Sequence, residues 1–277
     1  MRRHNPSPGR PGPIEAGVAG GEAVRYAVAG GVATLTMDQP HNRNALTSAL
    51  LNGLADGLNR ALEQDAARVI VLTNTGPAFC AGADLSGGGP AGGGSGAAPG
   101  LGLAEVLAAI QDSPKPVVAR IAGHCLGGGV GLAAACDLSV AADNVRFGFT
   151  EVRIGVVPAI ISVVCLPKLR RGDALELFLS GERISAARAA EIGLITRAAP
   201  AADLDSEADA VAANLLAGAP AALTAAKQLV YAVPGMDRRA AFARTTELSR
   251  SLFASAEAAE GMAAFREKRP PSWTRLP

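Results

Sequence analysis

The chain has few of the features that assign a function directly. Its 26 Lys and Arg are balanced by 25 Asp and Glu, leaving a net charge of +1; without a basic surplus, nucleic acid is excluded as the main partner. No stretch approaches the roughly 18 uninterrupted apolar residues of a membrane span. Residues Met1 to Gly21 are rich in Pro, Gly and Arg but lack the apolar segment of a secretory signal, and read as a disordered leader. The four cysteines, Cys80, Cys125, Cys136 and Cys165, form neither a CxxC pair nor a zinc spacing with histidine. Reduced, mostly buried thiols in a cytoplasmic protein are the expected reading. Histidine is scarce too: His4 lies in the leader, His41 in a turn, and only His124 adjoins a glycine loop. There is no GxSxG elbow, no serine with an evident histidine partner, and no GKS/T phosphate loop.

The 277 residues, 49% hydrophobic, suffice for one or two domains at about 150 residues each. Alternating residues predict strands over Glu22–Val28 and Val32–Met37, joined at Gly30-Gly31. Leu46, Leu50, Leu54, Leu58 and Leu62 recur every four residues and predict an amphipathic helix capped by Thr47 or Ser48. Val69–Leu72 suits a buried strand, followed by a loop over Thr73 to Asp84. Ser86 to Gly100, almost wholly Gly, Ala, Pro and Ser, predicts a flexible insert. A helix over Leu101–Gln111, strands over Val117–Ile121, Asp137–Ala141 and Arg146–Phe149, and a small-residue helix after Gly127 complete the middle. From Leu169 onward the pattern is mainly helical: Asp173–Leu179, Ala186–Ile192, Leu204–Leu216, Ala221–Val230, Asp237–Phe253 and Ala256–Arg266.

Three places could carry chemistry. Gly127-Gly128-Gly129 follows a strand and opens a helix; it serves either close helix–strand packing or a ligand at the helix N-terminus, where free amides favour negative charge. The second, Phe79-Cys80-Ala81-Gly82-Ala83-Asp84-Leu85, reads alone as an ordinary turn. Together the two small-residue loops could aim two amides at one oxygen, an oxyanion hole. Glu151, among apolar neighbours, is either a surface residue on an alternating strand or a buried carboxylate with a raised pKa, suited to general-base work.

Phe79–Leu85, Gly123-His124-Cys125-Leu126-Gly127-Gly128-Gly129 and Ala135-Cys136-Asp137-Leu138 resemble the signature of the enoyl-CoA hydratase/isomerase (crotonase) superfamily. So do Asn44-Ala45-Leu46 after Asp38-Gln39-Pro40, and Glu260–Arg269 near the end. The likeness runs from about Val32 to Arg269. It implies an α/β fold: a crotonase-like spiral of ββα units over residues 21–200, with 86–100 as the insert and 1–20 as the leader. A helical C-terminal region, 201–277, would mediate trimers, often paired into hexamers.

The resemblance further implies that the amides of Ala83 and Gly128 hold the thioester carbonyl and that Glu151 moves the proton. Arg43, Ala81, Asp84 and Lys268 would contact coenzyme A, Lys268 on a neighbouring subunit's ligand; solvated surface charge is the alternative for Arg43 and Lys268. Family hydratases carry a second acid two residues after the glycine triplet, which here is Gly131. Ala159-Ile160-Ile161-Ser162 replaces the Gly-Ala-Gly-Gly usual there. Hydration of a 2-enoyl-CoA is the leading expectation. A single-acid Δ3-Δ2 enoyl-CoA isomerase, acyl-CoA hydrolysis and a non-catalytic acyl-CoA-binding protein are the alternatives. The partner is an acyl-CoA, with no nucleic acid, membrane span, metal or separate cofactor expected.

Overall fold

The computed structural model describes residues 23–84 and 102–275; the leader expected over 1–20 and the insert over 86–100 lie outside them. In chain order the strands are β1 Val24–Ala29, β2 Val32–Met37, β3 Val69–Asn74, β4 Ala78–Cys80, β5 Val117–Ile121, β6 His124–Leu126, β7 Leu138–Ala142, β8 Arg146–Gly148, β9 Arg183–Ser185 and β10 Arg197–Ala199. The helices are α1 Ser48–Glu63, α2 Leu103–Asp112, α3 Gly128–Ala135, α4 Ala159–Cys165, α5 Arg171–Ser180, α6 Ala186–Glu191, α7 Leu204–Leu216, α8 Pro220–Ala232, α9 Arg238–Phe253 and α10 Ala256–Glu267.

Two sheets share these strands. One runs β1-β2-β3-β5-β7-β10 and the other β4-β6-β8-β9. The chain visits them in turn: β3, β5 and β7 enter the first sheet, β4, β6 and β8 the second, and α2, α3 and α4 close each turn. This is the expected spiral of ββα units. Within the first sheet only the β1–β2 hairpin is antiparallel, its turn made by Gly30 and Gly31 at φ 53° and 81°, values that admit glycine without strain. Every residue of β3 is buried, as a strand covered on both faces requires. Helix α3 is equally buried along its whole length; its small residues let it sit against β4 and β6.

Several expectations are corrected. Leu46 does not belong to α1: Thr47 caps the helix by accepting from Leu50 N, and Leu46 instead bridges to Ala83. The loop expected over Thr73 to Asp84 contains β4. Helix α4 was not anticipated, because Ile160, Ile161, Val163 and Val164 are β-branched and disfavour helix; burial of Ile161, Val164 and Cys165 overrides that preference. Glu151 lies not on an alternating strand but in a 3₁₀ turn, Thr150–Ile154.

The helical layer is tied to the core by a buried ion pair. Lys227 Nζ on α8 meets Asp137 Oδ2 at 2.9 Å and donates also to Ile110 O, with side chains only 8% and 17% exposed. Burial pushes the Asp137 carboxyl up despite that lysine, a sign of how strongly the site is desolvated. Removing one partner strands the other charge. Lys227→Met should therefore lower unfolding free energy by roughly 3 kcal/mol in urea melts; a change within about 0.5 kcal/mol would contradict this account.

Candidate active site

Strands β4 and β6 lie side by side and parallel, with Ala78 opposite His124, so the turns that follow them emerge together. In the first, Ala81 N donates to Arg43 O and Leu46 N donates to Gly82 O, which clamps the turn to the segment before α1. Gly82 sits at φ +92°, and a Cβ there would lie 3.2 Å from Leu126 O and 3.5 Å from Gly128 N. The two turns are thus close neighbours, and even a Cβ between them would be tight.

In the second turn Gly127 adopts φ 51°, ψ −124°, open only to glycine. Its amide is used by Gly148 O, and its carbonyl accepts from Val130 N and Gly131 N. Gly128 opens α3, where the first amides have no partner within the helix. A Cβ on Gly128 would collide with Leu46, and one on Gly129 would lie 2.8 Å from Cys80 Cβ. The packing reading of the glycine run is thus met by the structure: these glycines stand where a side chain would collide with Leu46 and Cys80. Among the described residues, neither Ala83 N nor Gly128 N is a donor in the backbone network.

Glu151 completes the cluster. Phe149, fully buried, stacks on Phe178 of α5 at 4.4 Å, and Arg153 Nε donates to Gly181 O, so the 3₁₀ turn is held at both ends. The Glu151 carboxylate then lies against the glycine turn: Oε1 is 2.9 Å from where a Cβ of Gly127 would stand. Oε2 is buried and has no hydrogen-bond partner among the described residues. Burial raises the Glu151 pKa, offset in part by a backbone amide hydrogen bond. A half-buried carboxylate with a raised pKa beside the Gly127 turn is the kind of group that general acid–base chemistry uses.

The other predicted residues divide. Gly131 is buried on the same face of α3 one turn after Gly127, and a Cβ there would lie 2.9 Å from Ile161 Cβ; α4 closes that position. Arg43 stands at φ 60° beside the first turn, which Ala81 and Asp84 themselves form. Lys268 ends α10 at φ 54°, and no described contact joins it to the cluster. The four thiols are buried, and burial pushes Cys80, Cys136 and Cys165 up to about 12; they are inert at neutral pH. Among the described residues no group of His, Cys, Asp and Glu is arranged to hold a metal, and no single helix is long and apolar enough to cross a membrane.

Sequence reasoning missed Leu46 and Asn44 as shapers of the site, although both sat inside a recognised motif; the unusual Ala159–Ser162 stretch, by contrast, pointed to the place where Ile161 packs.

The sequence model described as enoyl-CoA hydratase/isomerase matches residues 27–275. A "Probable enoyl-CoA hydratase" of Rhodobacter capsulatus is 38% identical, covering 91% of this chain and 97% of that protein. The 2,3-dehydroadipyl-CoA hydratase of Escherichia coli is 34% identical over 87% of this chain and 94% of its own. Among solved structures, an enoyl-CoA hydratase of Mycobacterium smegmatis superposes with a TM-score of 0.81 at 31% identity, covering 91% of this chain and 99% of that one.

The raised pKa of Glu151 fixes a pH dependence. For an acid whose folded pKa exceeds its unfolded value, stability is greatest below the unfolded pKa and falls as pH rises through the folded one. Glu151→Gln should thus melt no lower than the wild type at pH 8, with any gain vanishing near pH 4. A variant markedly less stable at pH 8 alone would mean that the carboxylate is stabilised where it lies.

Proposed function

We infer the reaction from one premise: the chain belongs to the enoyl-CoA hydratase/isomerase family. It is an enzyme of that family, with the same fold. We propose that it hydrates a 2-enoyl-CoA thioester with Glu151 as its acid–base group. The observation that carries this reading is Glu151 beside the Gly127 turn, its Oε2 buried with no hydrogen-bond partner among the described residues.

The amides of Ala83 and Gly128 would hold the thioester oxygen. Glu151 accepts a proton from water as the water oxygen bonds to C3, and the pair of electrons released from the double bond moves to the thioester oxygen. The resulting enolate collapses and C2 takes the proton back from Glu151. Microscopically this uses one carboxylate twice, first as base and then as acid. The chemistry draws on these groups and the substrate's coenzyme A, with no further cofactor.

A second reading has its own support. Ile161 closes the space at Gly131, so no second acid faces Glu151 from α3. A lone carboxylate suffices to take a proton from C2 of a 3-enoyl-CoA and return it at C4, which is isomerisation.

Coenzyme A is proposed to lie along Arg43, Ala81 and Asp84, with Lys268 contributing to a neighbouring subunit's ligand. Assembly into trimers or hexamers is supported by the uncovered C-terminal helices: α9 has no buried residue, and Phe242, Phe253 and Phe265 are 67%, 69% and 85% exposed. Apolar exposure on this scale marks an association surface. A cytoplasmic location suits the four free thiols.

The test is to incubate the wild type and Glu151→Gln with crotonyl-CoA and a 3-enoyl-CoA, following absorbance and product mass. Wild-type hydration of crotonyl-CoA with a loss of at least about 10³-fold in the variant is expected, and acyl-CoA affinity should stay within a few-fold. Turnover of the 3-enoyl-CoA alone would select isomerisation, free thiol would indicate hydrolysis, and binding without turnover would make the protein a carrier. An active Gln variant would remove Glu151 from the mechanism.

A further inference from the structure

Two asparagines stand behind the first turn, and neither touches the reacting centre. Asn44 is 0% exposed and Asn74 is 7% exposed. Asn44 is one of three described non-glycine residues at positive φ, at 51°, a conformation that asparagine tolerates better than most. Its side chain has every polar atom engaged: Oδ1 accepts from Gln39 N at 2.7 Å, and Nδ2 donates to Ala78 O at 2.9 Å and Thr75 O at 3.1 Å. Asn74 Nδ2 reaches the same carbonyl, Ala78 O, at 3.2 Å and also Gly76 O at 3.2 Å, while Asn74 Oδ1 accepts from Ala122 N at 3.1 Å.

The Ala78 carbonyl is where these bonds meet, at the first residue of β4. On one side Asn44 ties it to the segment whose Arg43 O and Leu46 N grip Ala81 and Gly82. On the other, Asn74 ties it to Ala122, two residues before β6, the strand that delivers Gly127 and Gly128. β4 and β6 are three residues each, too short for their own ladder to fix their relative position firmly. We propose that Asn44 and Asn74 are positioning residues for the oxyanion site: by bonding jointly to Ala78 O they set the separation of the turns that carry the Ala83 and Gly128 amides.

This rests on the reading of those amides given above, and the test keeps the two apart. The probe is 4-aminocinnamoyl-CoA, a push–pull thioester whose absorption moves to longer wavelength when hydrogen-bond donors polarise its carbonyl. Its bound spectrum, and kcat and KM for crotonyl-CoA, are measured for the wild type, Asn44→Gly, Asn44→Asp and Asn74→Ser. Glycine keeps the positive φ without the side chain, and aspartate keeps the contact to Gln39 N but loses both donors. The expected result is a red shift less than half that of the wild type in all three variants, with kcat down by about 10²-fold, as small misplacements at a reacting centre cost, and KM within about 3-fold. Should one variant fail to fold, the other two carry the test. Variants that melt lower yet keep the full shift and kcat would make the asparagines structural only and overturn the proposal. A wild type that turns over crotonyl-CoA but shows no red shift overturns it as well. A wild type with neither overturns the hydration reading, and this inference with it.

Discussion

The site depends on two turns being close enough to touch. Gly82 and Gly127 both hold positive φ, and a Cβ on Gly82 would press on Leu126 O and approach Gly128 N. That contact is available because β4 and β6 are parallel neighbours, and it survives because the segment before α1 holds the first turn from its far side. Chain geometry, not a cluster of reactive side chains, is what these residues provide. Glu151 is the carboxylate brought against the Gly127 turn, and one of its oxygens has no hydrogen-bond partner among the described residues. An unsatisfied buried carboxylate oxygen destabilises a fold; a site that binds a polarised substrate is where such a cost is commonly found.

Legibility in the sequence followed length and period. The strands Val32–Met37, by alternation, and Val117–Ile121 stood out, and both occur with those bounds. The helix Leu204–Leu216 was equally readable. Of the three-residue strands β8 was read, but β4, β6, β9 and β10 were not, since three residues barely express a period and their register comes from neighbours in the sheet. Leu46 continued the four-residue leucine rhythm yet left the helix, because Thr47 caps it and a bridge to Ala83 takes Leu46 into the site. Glu151 was readable as a candidate but not in its setting: its burial is imposed by the Phe149–Phe178 stack and the glycine turn, contacts between residues distant in the chain.

The position at Gly131 is closed by packing: Ile161 of α4 occupies the space that a side chain there would need. On the proposed reading of Glu151, that closure favours a single proton carrier over a pair of acids holding water between them. The same packing explains why so many glycines and alanines gather in α3: a helix buried on all sides, pressed by β4, β6 and α4, has no room for larger side chains.

The most direct measurement is a crystal structure with a saturated, unreactive acyl-CoA bound. The account predicts the thioester oxygen about 2.7–3.1 Å from both Ala83 N and Gly128 N, with the Glu151 carboxylate about 3–3.5 Å from the carbon next to the carbonyl. A thioester oxygen held by other groups, or a Glu151 side chain turned toward solvent with ligand in place, would contradict it.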